Sequence, residues 1–88
     1  MISAVILIEA EPVHVTDLAE QLVELDGVAE AYSVTGEYDL VAILRVKEQD
    51  ELAKVVTNGI AKLTGVQRTH TLVAFKVYRA ADYDWEVS

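Results

Sequence analysis

The chain has 88 residues, no cysteine and a net charge of −8, from fifteen acidic against seven basic side chains. That length accommodates one domain and leaves no room for a catalytic domain beside a sensing domain. Without cysteine, disulfides, thiolate metal sites and thiol catalysis are excluded, and the excess of acid opposes direct binding to nucleic acid phosphates.

In chain order, the first element is an apolar run from Ile2 to Ile8, rich in β-branched residues and read as a strand. No basic stretch precedes it and it is too short to span a bilayer, so a cytoplasmic protein without a signal peptide is the expectation. After Glu9-Ala10-Glu11-Pro12 the period changes. Val15, Leu18, Leu22 and Leu25 share one helical face, with Asp17, Glu20, Gln21 and Glu24 largely opposite. Pro12 suits the start of that helix and Gly27 its end. A second strand is expected from Val28 to Thr35 and a third from Asp39 to Val46, joined at Gly36.

Glu48, Asp50 and Glu51 open the next helix, where acids complement the positive end of the helix dipole. Its apolar stripe is Leu52, Val55, Val56, Ile60 and Leu63. Gly59 lies on that stripe, where it weakens the helix by up to about 1 kcal/mol and permits close approach. Gly65 closes the helix, and a last strand is expected from Val66 to Tyr78. The acidic, aromatic segment Ala81–Ser88 is given no element.

An internal echo orders these pieces. "LDGV" (Leu25–Val28) and "LTGV" (Leu63–Val66) each close a helix and enter a strand. The expected fold is therefore α+β: a ferredoxin-like βαββαβ single domain over residues 1–88, with both helices on one face of a four-stranded antiparallel sheet. The other face does not read as wet. Leu40, Ala42, Leu44 and Val46 alternate with Val41 and Ile43, while Val73, Phe75 and Val77 alternate with Leu72, Ala74 and Tyr78. Hydrophobic residues make up 52% of the chain, against roughly 45–50% in soluble domains, and a chain of this size buries only about 60% of its surface. A second copy on that face, through an isologous two-fold contact, gives a dimeric α+β barrel.

Candidate chemistry is sparse. His14 and His70 stand in no HxH, HxxxH or HxxE spacing, so no metal site is expected. Ser3, Ser33 and Ser88 have no base at a recognisable spacing, and no glycine-rich phosphate loop follows a strand. No catalytic residue and no cofactor are expected, and the protein is read as a non-enzyme. What remains is the Gly36–Asp39 turn. Glycine supplies positive φ and aspartate is a common turn residue, yet Tyr38 is an amphipathic side chain suited to binding sites. Thr69 and Thr71, two residues apart on the last strand, present both hydroxyls to one face.

The runs VTGEYDLVAIL (Val34–Leu44) and LTGVQRTHTLVAFK (Leu63–Lys76) resemble the ligand-binding half of the Lrp/AsnC feast/famine transcription regulators, also called the RAM domain. The resemblance covers roughly Met1 to Tyr78 and is most specific at Gly36-x-x-Asp39 and Gly65-Val66-x-x-Thr69-x-Thr71. It implies homodimers packed sheet on sheet, assembled into higher oligomers, with amino acid effectors bound between dimers beside the turn of strands two and three. By the same resemblance Gly36 and Glu37 offer backbone groups, Tyr38 lines the side-chain pocket, and Asp39 meets the ligand's ammonium. Thr69 and Thr71 donate to its carboxylate. Family members carry an N-terminal helix-turn-helix domain, and these residues hold none. The implied role is an amino acid sensor, or a modulator of a DNA-binding relative through mixed assembly, with no direct contact to nucleic acid or membrane.

Three alternatives stand beside it. An ACT domain shares the βαββαβ order and binds amino acids, but the first strand–helix connection here lacks that family's glycine. A small dimeric α+β-barrel enzyme, of monooxygenase or haem-degrading type, requires His70 as ligand or base. The third is a structural oligomer with a vestigial site.

Overall fold

Period-two alternation in the first strand sets the architecture. In the computed structural model, which describes residues 1–80, β1 (Ile2–Ala10) buries Ala4, Ile6, Ile8 and Ala10 and turns the residues between them to the other face. A 3-10 turn (Pro12–His14) leads into α1 (Val15–Leu22), followed by β2 (Val28–Ser33), β3 (Leu40–Val46), the helical stretch beginning at α2 (Gln49–Lys54), and β4 (Val66–Val73). The strands form one antiparallel sheet in the order β2-β3-β1-β4. This is the expected ferredoxin-like arrangement. The acidic segment Ala81–Ser88 lies outside the described residues.

The core lies between the helices and one face of the sheet. Leu18 and Leu22 from α1, Leu52 from α2, and Ile60 meet Ile6, Ile8, Leu40, Ala42, Leu44 and Val46. Each of these is the apolar member of its period, so burial follows the pattern read from the sequence. The alternate residues of the two central strands, Val5, Leu7, Val41 and Ile43, occupy the opposite face and are only half-buried. Tyr32 and Leu72 extend that face outward and are 46% and 49% exposed.

Three boundaries differ from the sequence reading. The last strand stops at Val73 rather than Tyr78, because β4 has β1 as its only neighbour. Val73 pairs with Ala4, the Ala74 amide donates to the Ser3 carbonyl at 2.8 Å, and β1 ends at Ile2. Phe75, at 104%, is fully exposed beyond that point. On the other edge, β2 closes at Ser33, whose partner is Leu40, so Val34–Asp39 forms the connection.

The second helix is not continuous. It is α-helical to Lys54, widens into a π-helical turn over Val55–Gly59, and tightens to a 3-10 turn over Ile60–Lys62. The stripe explains the change. Leu52, Val56 and Ile60 recur every four residues, which drifts off one face of a 3.6-residue helix and is taken up by a wider turn. Thr57 Oγ1 donates back to the Ala53 carbonyl at 2.6 Å, a bond that competes with the helical ladder and bends it. At Gly59 the Leu25 side chain lies 3.3 Å from where a Cβ would be, so the glycine does provide close approach.

Candidate functional site

The turn between β2 and β3 is built on two separate devices. Gly36 has φ +112, a conformation that favours glycine, and no atom lies within 4 Å of a would-be Cβ. Its role in the chain is conformational. Asp39 acts by contact. Its amide donates to the Ile8 carbonyl at 2.9 Å, and its Oδ2 accepts a hydrogen bond from the Ala10 amide at 2.8 Å. The β1–β3 pairing ends with Ile8 opposite Leu40, and beyond that last pair the aspartate oxygen takes the place of a strand carbonyl for the Ala10 amide. The carboxylate is half-buried and partly committed to backbone.

Tyr38 turns across the sheet toward β4. Its hydroxyl lies 3.4 Å from His70 Nδ1, and the two rings meet edge to face at 6.3 Å between centroids. Next to this pair, Arg68 and Glu9 form an ion pair. Glu9 pairs with Arg68 and Leu7 with His70 across β1 and β4, which places these side chains on the open face of the sheet. His70 therefore belongs to the surroundings of the turn, whereas sequence reading assigned it a role only in the alternative of a barrel enzyme. The available signal was its parity. Standing between Thr69 and Thr71, His70 must point to the opposite face.

Thr69 and Thr71 do share one face, as expected, but it is the helix-covered one. Their partners on β1 are Ile8 and Ile6, both fully buried. Within one chain β1 stands between these hydroxyls and Asp39, which heads the strand on β1's other side. Two strand spacings amount to about 10 Å. The fold thus brings Tyr38, His70, Glu9 and Arg68 together, and leaves Thr69 and Thr71 on a separate flank. Gly36 and Glu37 are exposed at the tip.

His14 has a structural place. It packs over Gly65 so closely that a Cβ there would sit 2.7 Å from the histidine Cβ. Among the described residues, no group of three or more histidine or acidic side chains is arranged to hold a metal ion. No helix among them is long and apolar enough to cross a membrane.

Comparison with known proteins bears on the same chain. The family model described as the Lrp/AsnC ligand binding domain matches residues 3–82. The HTH-type transcriptional regulator FL11 of Pyrococcus furiosus is 33% identical over 78 residues, covering 89% of this chain and 51% of that regulator. The chain spans about half the length of the curated relatives of this kind that it matches. Among solved structures, TTHA0845 from Thermus thermophilus is 52% identical, with a TM-score of 0.85 over 91% of this chain and 100% of that one. E. coli AsnC is 27% identical, with a TM-score of 0.81 over 90% of this chain and 55% of that one. With the βαββαβ order, the strand order β2-β3-β1-β4 and the Gly36–Asp39 turn in place, the chain belongs to the Lrp/AsnC ligand-binding domain family.

Proposed function

We propose that this domain is an amino acid effector-binding module that works as a sensor or as a modulator of DNA-binding relatives, and that it is not an enzyme. The observation that carries the reading is the family match over residues 3–82, joined to a turn that places a half-buried carboxylate beside an aromatic side chain. A zwitterion needs an anion for its ammonium and donors for its carboxylate. Asp39 supplies the first, and the exposed backbone of Gly36 and Glu37 supplies amides near it. Tyr38 forms the wall against the ligand's side chain, held by His70.

Thr69 and Thr71 enter from a different copy. Because β1 separates them from Asp39 within one chain, a ligand in contact with both groups sits in a cleft between dimers. The half-buried apolar face of Val5, Leu7, Val41 and Ile43 supports the dimer itself, closed sheet on sheet. A cytoplasmic location fits such a regulator. So does the lack of a direct role at DNA, since these 88 residues carry a charge of −8.

The test is a thermal-shift screen against the twenty amino acids, followed by calorimetry on those that stabilise. A ligand at a hundred times its dissociation constant raises stability by about 2.7 kcal/mol. A flat screen with folded, oligomeric protein removes the amino acid from the reading and leaves a structural oligomer. Soret absorbance on adding haem would instead favour the barrel-enzyme class.

A further inference from the structure

Beyond Val73 the chain leaves the sheet, and its apolar character does not fall off with it. Five of the ten exposed large hydrophobic side chains among the described residues stand between Leu72 and Tyr78. Phe75 is fully exposed, Tyr78 mostly, and Val77 by more than half. Single exposed apolar residues are ordinary, but a cluster of them marks a contact surface.

The course of residues 74–80 follows from what they touch. The Ala74 amide donates to the Ser3 carbonyl at 2.8 Å, and Ser3 pairs with Arg45 on β3. Further on, Val77, Tyr78, Arg79 and Ala80 line an open cavity of about 490 Å³ together with Arg45 and Glu30. Glu30 is paired with Ile43 on β3, as Tyr32 is with Val41, so Glu30 and Arg45 stand on the open face of the sheet. The segment thus runs from β4 past β1 and β3 to β2, across the charged margin of that face.

This margin gives the apolar side chains no seat. Arg45, Glu30 and Arg79 supply its charges, and the cavity stays open between them and the segment. The Lys76 ammonium lies 5.2 Å from the Tyr78 ring centroid, a contact internal to the segment. The apolar centre of the open face, Val5, Leu7, Val41 and Ile43, extends the other way along the strands. Val41 is opposite Leu7, four residues on from Ser3, or about 13 Å. A segment tied at Ser3 and heading for Glu30 does not carry Phe75 back to that centre in its own chain. A facing sheet, packed about 10 Å away, is within reach of its ring.

We infer that residues 74–80 form an arm between subunits, with Phe75 of one copy packed on the apolar open face of a second copy and the same contact returned through the two-fold. This rests on the sheet-on-sheet dimer of the proposed function and adds to it an anchor from outside the sheet. A ring that is bare in one chain and seated on an apolar face in two is the kind of side chain that carries much of an interface's affinity.

The experiment is an isotope-filtered nuclear Overhauser measurement on the intact protein, mixed from ¹³C-labelled and unlabelled copies and checked by sedimentation. The expected result is contact between the Phe75 ring of one copy and methyl groups of Val5, Leu7, Val41 or Ile43 of the other. Phe75→Ala, with native circular dichroism, should raise the dimer dissociation constant at least about tenfold, as loss of an aromatic anchor does. Phe75→Leu, which keeps an apolar body, should raise it less. In a sample that sediments as a dimer, Phe75 contacts confined to its own chain, or none at all, overturn the arm and leave the sheet-on-sheet dimer standing. So does an unchanged constant in Phe75→Ala. A monomeric parent overturns the dimer and the arm together.

Discussion

Asp39 Oδ2 accepts a hydrogen bond from the amide of Ala10 at 2.8 Å, joining the start of β3 to the end of β1 across 29 residues of sequence. Ala10 is 3% exposed, so water does not replace the bond. Asp39→Ala leaves that amide unsatisfied and should cost about 1–3 kcal/mol in denaturant unfolding. Asp39→Asn keeps an oxygen in place and should unfold close to the parent. Under the proposed function, the same Asn variant loses the charge that meets the ligand's ammonium. Breaking a buried pair costs about 2–5 kcal/mol, which weakens binding roughly 30- to several thousand-fold. Calorimetry with an amino acid from the screen separates the two roles. Unchanged affinity would leave Asp39 a purely structural residue.

Two glycines with similar backbone angles should respond differently to alanine. Gly36 and Gly65 have φ +112 and +98. At Gly36 nothing lies near a Cβ, while at Gly65 the new carbon would meet His14 Cβ at 2.7 Å. Gly36→Ala should cost only the backbone strain, about 1–2 kcal/mol. Gly65→Ala adds a clash and should lose at least about 1 kcal/mol more. Equal losses would mean that His14 yields freely.

Charge on the open sheet face should dissociate the assembly. Val41 lies at the centre of that face, opposite Leu7 on β1 and Tyr32 on β2. Val41→Asp should sediment as a monomer with native circular dichroism, where the parent sediments as a dimer or larger. A parent that is monomeric at micromolar concentration would refute the sheet-on-sheet reading.

Direct binding to DNA should be undetectable. A gel-shift titration at low salt gives electrostatic binding its best chance, and a chain of charge −8 should still show none. If mixed assembly occurs, the protein should alter the shift of a DNA-binding relative instead. A discrete complex with DNA alone would contradict this.

Much of the fold was legible because hydrophobic period is a local property. The alternation of Leu40, Ala42, Leu44 and Val46 against Val41 and Ile43 fixes which side of β3 faces the helices, and the burial follows it residue for residue. Leu18 and Leu22 identify the buried face of α1 in the same way. The repeated Gly-Val helix exits, at Gly27 and Gly65, fall where φ is positive. These features need no knowledge of distant residues.

What the sequence could not determine depends on partners far along the chain. The end of β4 is set by where β1 runs out, so an apolar pattern continuing to Tyr78 gave too long a strand. The π-helical turn reflects a four-residue stripe fitted to a sheet whose position only the fold supplies. Asp39 read equally well as turn chemistry or ligand contact, and its bond to Ala10 has no local signature. Likewise Tyr38 and His70, 32 residues apart, meet because β1 carries the turn and β4 on either side. Local periodicity determined the elements and their inward faces. Strand order decided which polar side chains meet, because hydrogen bonds act over about 3 Å and depend on neighbours in space.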